Sequence, residues 1–280
     1  MNDPVVIVGL ARTPMGGLQG DFRDCTAAEL GAVAIRAAVE RAGIPAADIE
    51  EVIMGCVLPA GQGQAPARQA SLGAGLPLGA GCTTVNKMCG SGMKATMLAH
   101  DLLLAGTNRV MVAGGMESMS NAPYLLPKAR TGYRMGHQQV LDHMFLDGLE
   151  DAYDKGRLMG SFAEDCASKY AFTREAQDAF AVASLERAQR ASTAGDFSWE
   201  IAPVTVKSGK SEKIVDRDEQ PFKADFAKIP QLRPAFRKDG TVTAATSSSI
   251  SDGAAAMVMM RASTAEKLGM KPVARLVAHA

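Results

Sequence analysis

The chain has few of the features that mark the commoner function classes. Aromatic residues make up 5% of its 280 residues, with a single Trp, and 30 Lys and Arg balance 30 Asp and Glu. A neutral, aromatic-poor chain lacks the basic field of a dedicated nucleic-acid or anionic-membrane binder, so neither partner is expected. No run of eighteen apolar residues occurs, so no membrane-spanning helix is expected. The start, MNDPVVIVGLARTP, has no basic cluster ahead of its apolar stretch, and that stretch is too short for a signal peptide. The five cysteines (Cys25, Cys56, Cys82, Cys89, Cys166) are odd in number and form no CxxC pair. A disulfide framework or a zinc site is therefore not expected, and reduced thiols suit a cytoplasmic location. The four histidines are scattered, none pairing with another at metal-ligand spacing. The first apolar stretch leads into GLARTP rather than GxGxxG, and Gly61-Gln-Gly63 opens no helix, which weakens a dinucleotide-binding oxidoreductase reading.

What is present is apolar material in an alternating order. Apolar residues make up 47% and charged residues 21%, enough for a sizeable core, and the length suggests roughly two domains. Residues 4–9 (PVVIVG) read as a buried strand, and Thr26-Ala-Ala-Glu29 as a capping box opening a helix that runs to about Gly43. Strands are expected at 51–58, 82–88 and 108–115, with helices at 65–76 and 91–106. Strands alternating with helices predict right-handed crossovers and a largely parallel sheet. From 119 to 249 the texture shifts to Met, Pro, Gly and charge around an amphipathic helix near 173–192, and reads as an insertion. A strand returns at 254–260, a second capping box at Ser263-Thr-Ala-Glu266 opens a short helix, and 272–280 reads as one more strand.

One thiol is framed differently from the others. In VNKMCGSGMKATMLAH, Cys89 stands between a strand end and a Gly-Ser-Gly turn that opens a helix. Helix N-terminal N–H groups favour a thiolate and can hold a developing oxyanion, while Gly90 and Gly92 permit a sharp turn and close approach of a ligand. That is the geometry of nucleophilic catalysis. A small core hydrophobe is the other reading of a lone cysteine in apolar surroundings. Cys25, Cys56, Cys82 and Cys166 lack the glycine frame and read as core residues.

The segment VNKMCGSGMKA resembles the active-site segment of the thiolases. VVIVGLARTPMGG, MVAGGMESMSNAPY, REAQDAFAVASLERA, LRPAFRKDGTVTA and SISDGAAAMVMM follow in the order and spacing of that family. The resemblance implies an α/β fold: a thiolase-like βαβαβαββ half with an inserted loop domain, the second pseudo-twofold half being absent from this chain. The expected boundaries are 1–118 plus 250–270 for the N-terminal domain, 119–249 for the loop domain, and 271–280 for the start of a truncated C-terminal domain. It also implies the chemistry. Cys89 would take the acetyl group of acetyl-CoA as a thioester, and a second acetyl-CoA would attack it to give acetoacetyl-CoA, reversibly, with no metal and no cofactor beyond the coenzyme A thioester substrate.

The family's GHPxG, CxGGG and NEAF motifs, which supply the activating histidine, the second cysteine and a water-positioning asparagine, do not occur in these 280 residues. The chain is accordingly expected to be an N-terminal portion with little turnover by itself. By resemblance Ser248 contacts the pantetheine arm, Phe236 lines the same groove, and Met159 stands beside the acyl pocket. Leu158 occupies a place where many members carry histidine, and TAATSSS replaces TAGNASG. The family's phosphate-contacting arginine falls near Phe222, leaving Lys223 as the adjacent charge; Lys207, Lys210, Lys213 and Lys228 are further candidates for the phosphates or simply solvated surface. Glu117 reads either as an orienting group or as a hydrogen-bond acceptor. Residues 124–144 resemble the segment through which members form homo-oligomers. The alternative to an acyltransferase is a non-enzymatic acyl-CoA-binding module of the same fold; a ketoacyl synthase ranks below both.

Overall fold

The computed structural model describes residues 3–209 and 211–280; Lys210 lies outside them. Strand β1 (Val5–Arg12), the two-residue β2 (Gly16–Gly17) and helix α1 (Ala27–Ala42) come first. Then follow β3 (Glu51–Gly55), α2 (Pro66–Gly73), β4 (Gly81–Val85), α3 (Ser91–Ala105) and β5 (Val110–Glu117). The long excursion that follows carries β6 (Tyr124–Leu125), β7 (Leu141–Asp142), α4 (Met159–Lys169) and α5 (Arg174–Ala194). It ends with the hairpin β8 (Val204–Ser208) and β9 (Ser211–Val215) and the single turn α6 (Gln220–Lys223). The chain re-enters the sheet as β10 (Ser251–Arg261), then forms α7 (Ala262–Lys267) and β11 (Ala274–Arg275).

The main sheet has the order β11-β1-β10-β5-β3-β4. The pairs β3–β5 and β3–β4 are parallel, while β10 runs antiparallel to both β1 and β5. The sheet is thus mixed rather than largely parallel. The four crossover-connected strands do share one direction, as expected, but the returning strand β10 wedges between β1 and β5 from the opposite end. Strands 51–58 and 82–88 end early, at Gly55 and Val85, and of 272–280 only Ala274–Arg275 pairs, antiparallel on the outer edge of β1.

Both faces of the sheet are covered, which explains the unbroken apolar runs. Val6 and Val8, Val52 and Met54, Val110 and Val112, and Val258 and Met260 point to one side with α1 and α2. Val5, Ile53, Met111, Ala113 and Met259 point to the other, against Ala95, Ala99 and Leu103 of α3. Each fully buried Leu or Ile stabilises by about 1.5–3 kcal/mol, so the three helices are held by their apolar faces. The Thr26 box is present: its hydroxyl accepts from the Glu29 N–H at 3.2 Å while Glu29 accepts from the Thr26 N–H at 2.8 Å, and Gly43 closes the helix in a left-handed conformation. The second box does not form. Ser263 lies inside α7, and its N–H and hydroxyl both donate to Asp3, at 2.9 and 2.6 Å.

Glycine sets how closely the helices approach. A Cβ at Gly9 would overlap the backbone of Ala38 and Ala42 in α1, and one at Gly55 would overlap the Ser91 carbonyl carbon and the Gly92 nitrogen. Arg12 ties the excursion back to β1, its guanidinium meeting Glu200 at 2.6 Å and Asp218 at 2.7 and 3.0 Å. Among the described residues no helix is long and apolar enough to cross a membrane.

Gly55→Ala should push the first turn of α3 off β3 and destabilise by about 1–3 kcal/mol, the usual cost of overpacking. Denaturant unfolding reads this; a wild-type midpoint would contradict the close approach.

Candidate active site

The site is built by the turn from β4 to α3. The Asn86 side chain accepts from the Met88 N–H at 2.9 Å and donates to the Val57 carbonyl at 3.3 Å. Ser91, 4% exposed, accepts from the Lys87 N–H at 2.9 Å and donates to the Met88 carbonyl at 2.5 Å. The Gly90 N–H closes the turn onto the Lys87 carbonyl at 3.1 Å. The turn requires a left-handed backbone at Met88, with φ of 49°, which costs a non-glycine residue about 1–2 kcal/mol. The sequence pointed to Gly90 and Gly92 for the sharp turn, but Gly90 has an ordinary φ of −89°. The strain falls on Met88, while a Cβ on Gly92 would meet only ordinary contacts, the nearest the Gly114 carbonyl oxygen at 3.7 Å.

This arrangement leaves Cys89 exposed one residue before the Gly90 N-cap of α3, and no side chain caps that helix. First-turn N–H groups without a side-chain cap can meet an anion. Strand, strained turn and helix present a nucleophile in the same way in other folds. Among the described residues no hydrogen bond joins the Cys89 thiol to a histidine or a carboxylate.

The other cysteines differ in environment. Burial, reinforced by Glu117, pushes the Cys56 thiol up to about 12. Burial, reinforced by Glu29, pushes Cys25 up to about 11. Cys82 is half-buried with its thiol 3.5 Å from the Ala80 carbonyl. Cys166 departs from the core expectation, being exposed on α4.

Glu117 is resolved as an acceptor. It takes the Val57 and Leu58 N–H groups at 2.8 and 3.0 Å and the Cys56 thiol at 3.4 Å. Burial holds its carboxyl above the usual range against those hydrogen bonds. It therefore pins the loop after β3, the loop from which Val57 holds Asn86. The same loop is held by buried His143, whose Nε2 accepts from the Ala60 N–H at 3.4 Å and whose Nδ1 lies 2.7 Å from Asp147. Sequence reasoning missed His143; a histidine in an irregular segment carries no periodic signal.

The substrate candidates occupy the excursion. Leu158 is the N-cap of α4 and Met159 its first residue, 44% exposed. The Phe236 ring covers Gly160 so closely that a Cβ there would overlap it, so Phe236 and the start of α4 come together. Ser248 is exposed on the loop before β10. Lys223 is ion-paired with Glu219, Lys213 with Asp21 at 2.7 Å and Lys228 with Asp225 at 3.2 Å, while Lys207 is exposed on β8.

Comparison with known proteins bears on this geometry. A family model described as the thiolase N-terminal domain matches residues 5–263. Acetyl-CoA acetyltransferase B, mitochondrial, of Xenopus laevis is 52% identical over 278 residues, covering 99% of this chain and 66% of the relative. Acetyl-CoA acetyltransferase 2 of Arabidopsis thaliana is 53% identical over 276 residues, covering 97% and 68%. The chain spans about two thirds of the length of these curated relatives. The solved acetyl-CoA acetyltransferase of Syntrophomonas wolfei superposes with a TM-score of 0.94 at 42% identity, over 99% of this chain and 69% of that one. The Acat5 thiolase of Ascaris suum, solved with coenzyme A, gives 0.92 at 38% identity, over 98% and 70%.

In the folded protein at mildly alkaline pH, iodoacetamide should label Cys89 and Cys166, with Cys25 and Cys56 reacting only after unfolding. Peptide mapping of a time course checks this, and labelling of Cys56 as fast as Cys89 would contradict the assignment.

Proposed function

The chain belongs to the thiolase family, and from that premise we propose that Cys89 is the acyl carrier of an acetyl-CoA acetyltransferase. The Cys89 sulfur attacks the acetyl-CoA carbonyl, the carbonyl–sulfur bond to coenzyme A breaks, and the proton shed by the thiol leaves with the coenzyme A thiol. A second acetyl-CoA, deprotonated at its methyl group, then attacks the acetyl-enzyme; the new carbon–carbon bond gives acetoacetyl-CoA and the Cys89 sulfur regains a proton. Splitting the condensation into two acyl transfers is the advantage of a covalent intermediate. The first-turn N–H groups of α3 suit the oxyanion formed at each stage.

The observation that carries this reading is an exposed thiol held by a strained turn at the uncapped N-terminus of α3. The condensation is proposed for the whole protein, because GHPxG and CxGGG are not among these 280 residues. The Ascaris suum relative was solved with coenzyme A, and a coenzyme A thioester is the substrate proposed here. Phe236, Met159 and Leu158 would line the groove for its pantetheine arm and acyl group, Ser248 would contact the arm, and Lys223, once drawn from Glu219, would meet a phosphate. No resident cofactor is required. Residues 124–144, which expose Tyr124, Leu126, Met135 and Val140, are proposed as the homo-oligomer contact. The five free cysteines fit a reducing compartment; that is the ground for placing the protein in the cytoplasm, and it serves equally for a mitochondrial location, the one printed for the Xenopus relative.

A second reading is an acyl-CoA-binding module without turnover, favoured by the lack of a base hydrogen-bonded to Cys89 among the described residues. Incubation with acetyl-CoA followed by intact mass measurement and peptide mapping separates the two. An acetyl group on Cys89, absent in Cys89→Ala, is the expected result; an unmodified protein that still binds coenzyme A would favour the module. In the whole protein Cys89→Ala should lower kcat by at least about 10⁴-fold.

A further inference from the structure

Away from the thiol, α3 carries a second group of chemically active side chains. The His279 Nε2 lies 3.1 Å from the His100 Nδ1 and 2.9 Å from the Asp101 Oδ1, and those two lie 3.0 Å apart. The three atoms make a nearly equilateral triangle. The two imidazole rings meet edge to face, with centroids 4.8 Å apart at 90°. The histidine side chains are 14% and 21% exposed and the aspartate 57%, so the triangle opens to solvent on the carboxylate side.

Hydrogen bonding alone leaves this triangle frustrated. An imidazole nitrogen either donates or accepts, never both in the ring plane. Protons on both nitrogens serve the carboxylate but set two N–H groups against each other. A proton on one nitrogen leaves the other facing the carboxylate lone pair to lone pair. A cation removes the conflict by accepting all three lone pairs. The dimensions fit as well. Metal–nitrogen and metal–oxygen bonds of about 2.0–2.2 Å at right angles place ligand atoms about 2.8–3.1 Å apart, whereas tetrahedral angles would need about 3.3–3.6 Å.

We propose that His100, Asp101 and His279 form a site for a first-row divalent transition metal, bound by two imidazoles and one carboxylate on one face, with the remaining positions open to water or another ligand. Imidazole and carboxylate together suit Zn²⁺, Co²⁺, Ni²⁺ or Fe²⁺ rather than the all-oxygen cages of Ca²⁺ and Mg²⁺. His100 stands eleven residues along α3 from Cys89, about 16 Å at 1.5 Å per residue, so the ion takes no part in acyl transfer at the thiol. Its effect is mechanical: it fastens the stretch after β11 to the middle of α3, the helix that presents Cys89. The spacing hid the site from sequence reasoning. His100 and Asp101 are adjacent, a separation that does not put helical side chains on one face, and His279 is 179 residues away.

Untagged protein stripped with a chelator and titrated with Co²⁺ tests the assignment, read by visible d–d absorption. The expected result is one ion per chain without a thiolate charge-transfer band, and Kd raised at least about tenfold by His279→Ala and by the exposed Asp101→Asn. Saturating Zn²⁺ should raise Tm by mass action, and that rise should vanish in His279→Ala. Absence of absorption, absorption unchanged in both variants, or a charge-transfer band lost in a cysteine variant would each overturn the site.

Discussion

The first turn of α3 rests directly on the end of β3, where Gly55 has no side chain to keep the Ser91–Gly92 backbone away. That approach fixes the height of the helix over the sheet, and Ser91, buried at the contact, turns its hydroxyl back to Lys87 and Met88. The connection from β4 then has three residues, Asn86 to Met88, in which to rise to Cys89. It does so by forcing Met88 left-handed. Exposure of the thiol, its place at the helix N-terminus and the strain beneath it all follow from one close backbone contact.

The surrounding polar groups support that turn from the side. Glu117, at the end of β5, gathers the N–H groups of the loop after β3, and that loop gives Asn86 its carbonyl partner at Val57. The carboxylate is thus a positioning group, two steps removed from the thiol, whose burial three donors offset only in part. His143 holds the same loop from the excursion. Burial and this carboxylate together make Cys56 a poor nucleophile, whereas Cys89, near the same sheet end, is exposed to solvent.

Local chemistry was legible in the sequence; long-range competition was not. The Thr26–Glu29 box reads correctly because every partner lies within four residues. The Ser263–Glu266 box fails because Asp3, 260 positions away, offers Ser263 a charged acceptor. The strand character of 254–260 was plain, but nothing in it announces that β10 enters between β1 and β5 in reverse. Cys89 stood out in the sequence through its frame and through resemblance, and the structure leaves it exposed, yet the strained residue proved to be Met88 rather than a glycine. A left-handed methionine is dictated by the geometry it bridges, not by its own preference. The meeting of Phe236 with the start of α4 and of His279 with α3 are likewise products of chain return.

Ser91 pins the turn that is proposed to make Cys89 reactive. The most direct test is the rate of Cys89 alkylation in Ser91→Ala, with the exposed Cys166 as internal reference and circular dichroism confirming an intact fold. The Cys89 rate should fall toward that of Cys166 while Cys166 itself is unchanged. An unaltered ratio in a folded Ser91→Ala protein would contradict it.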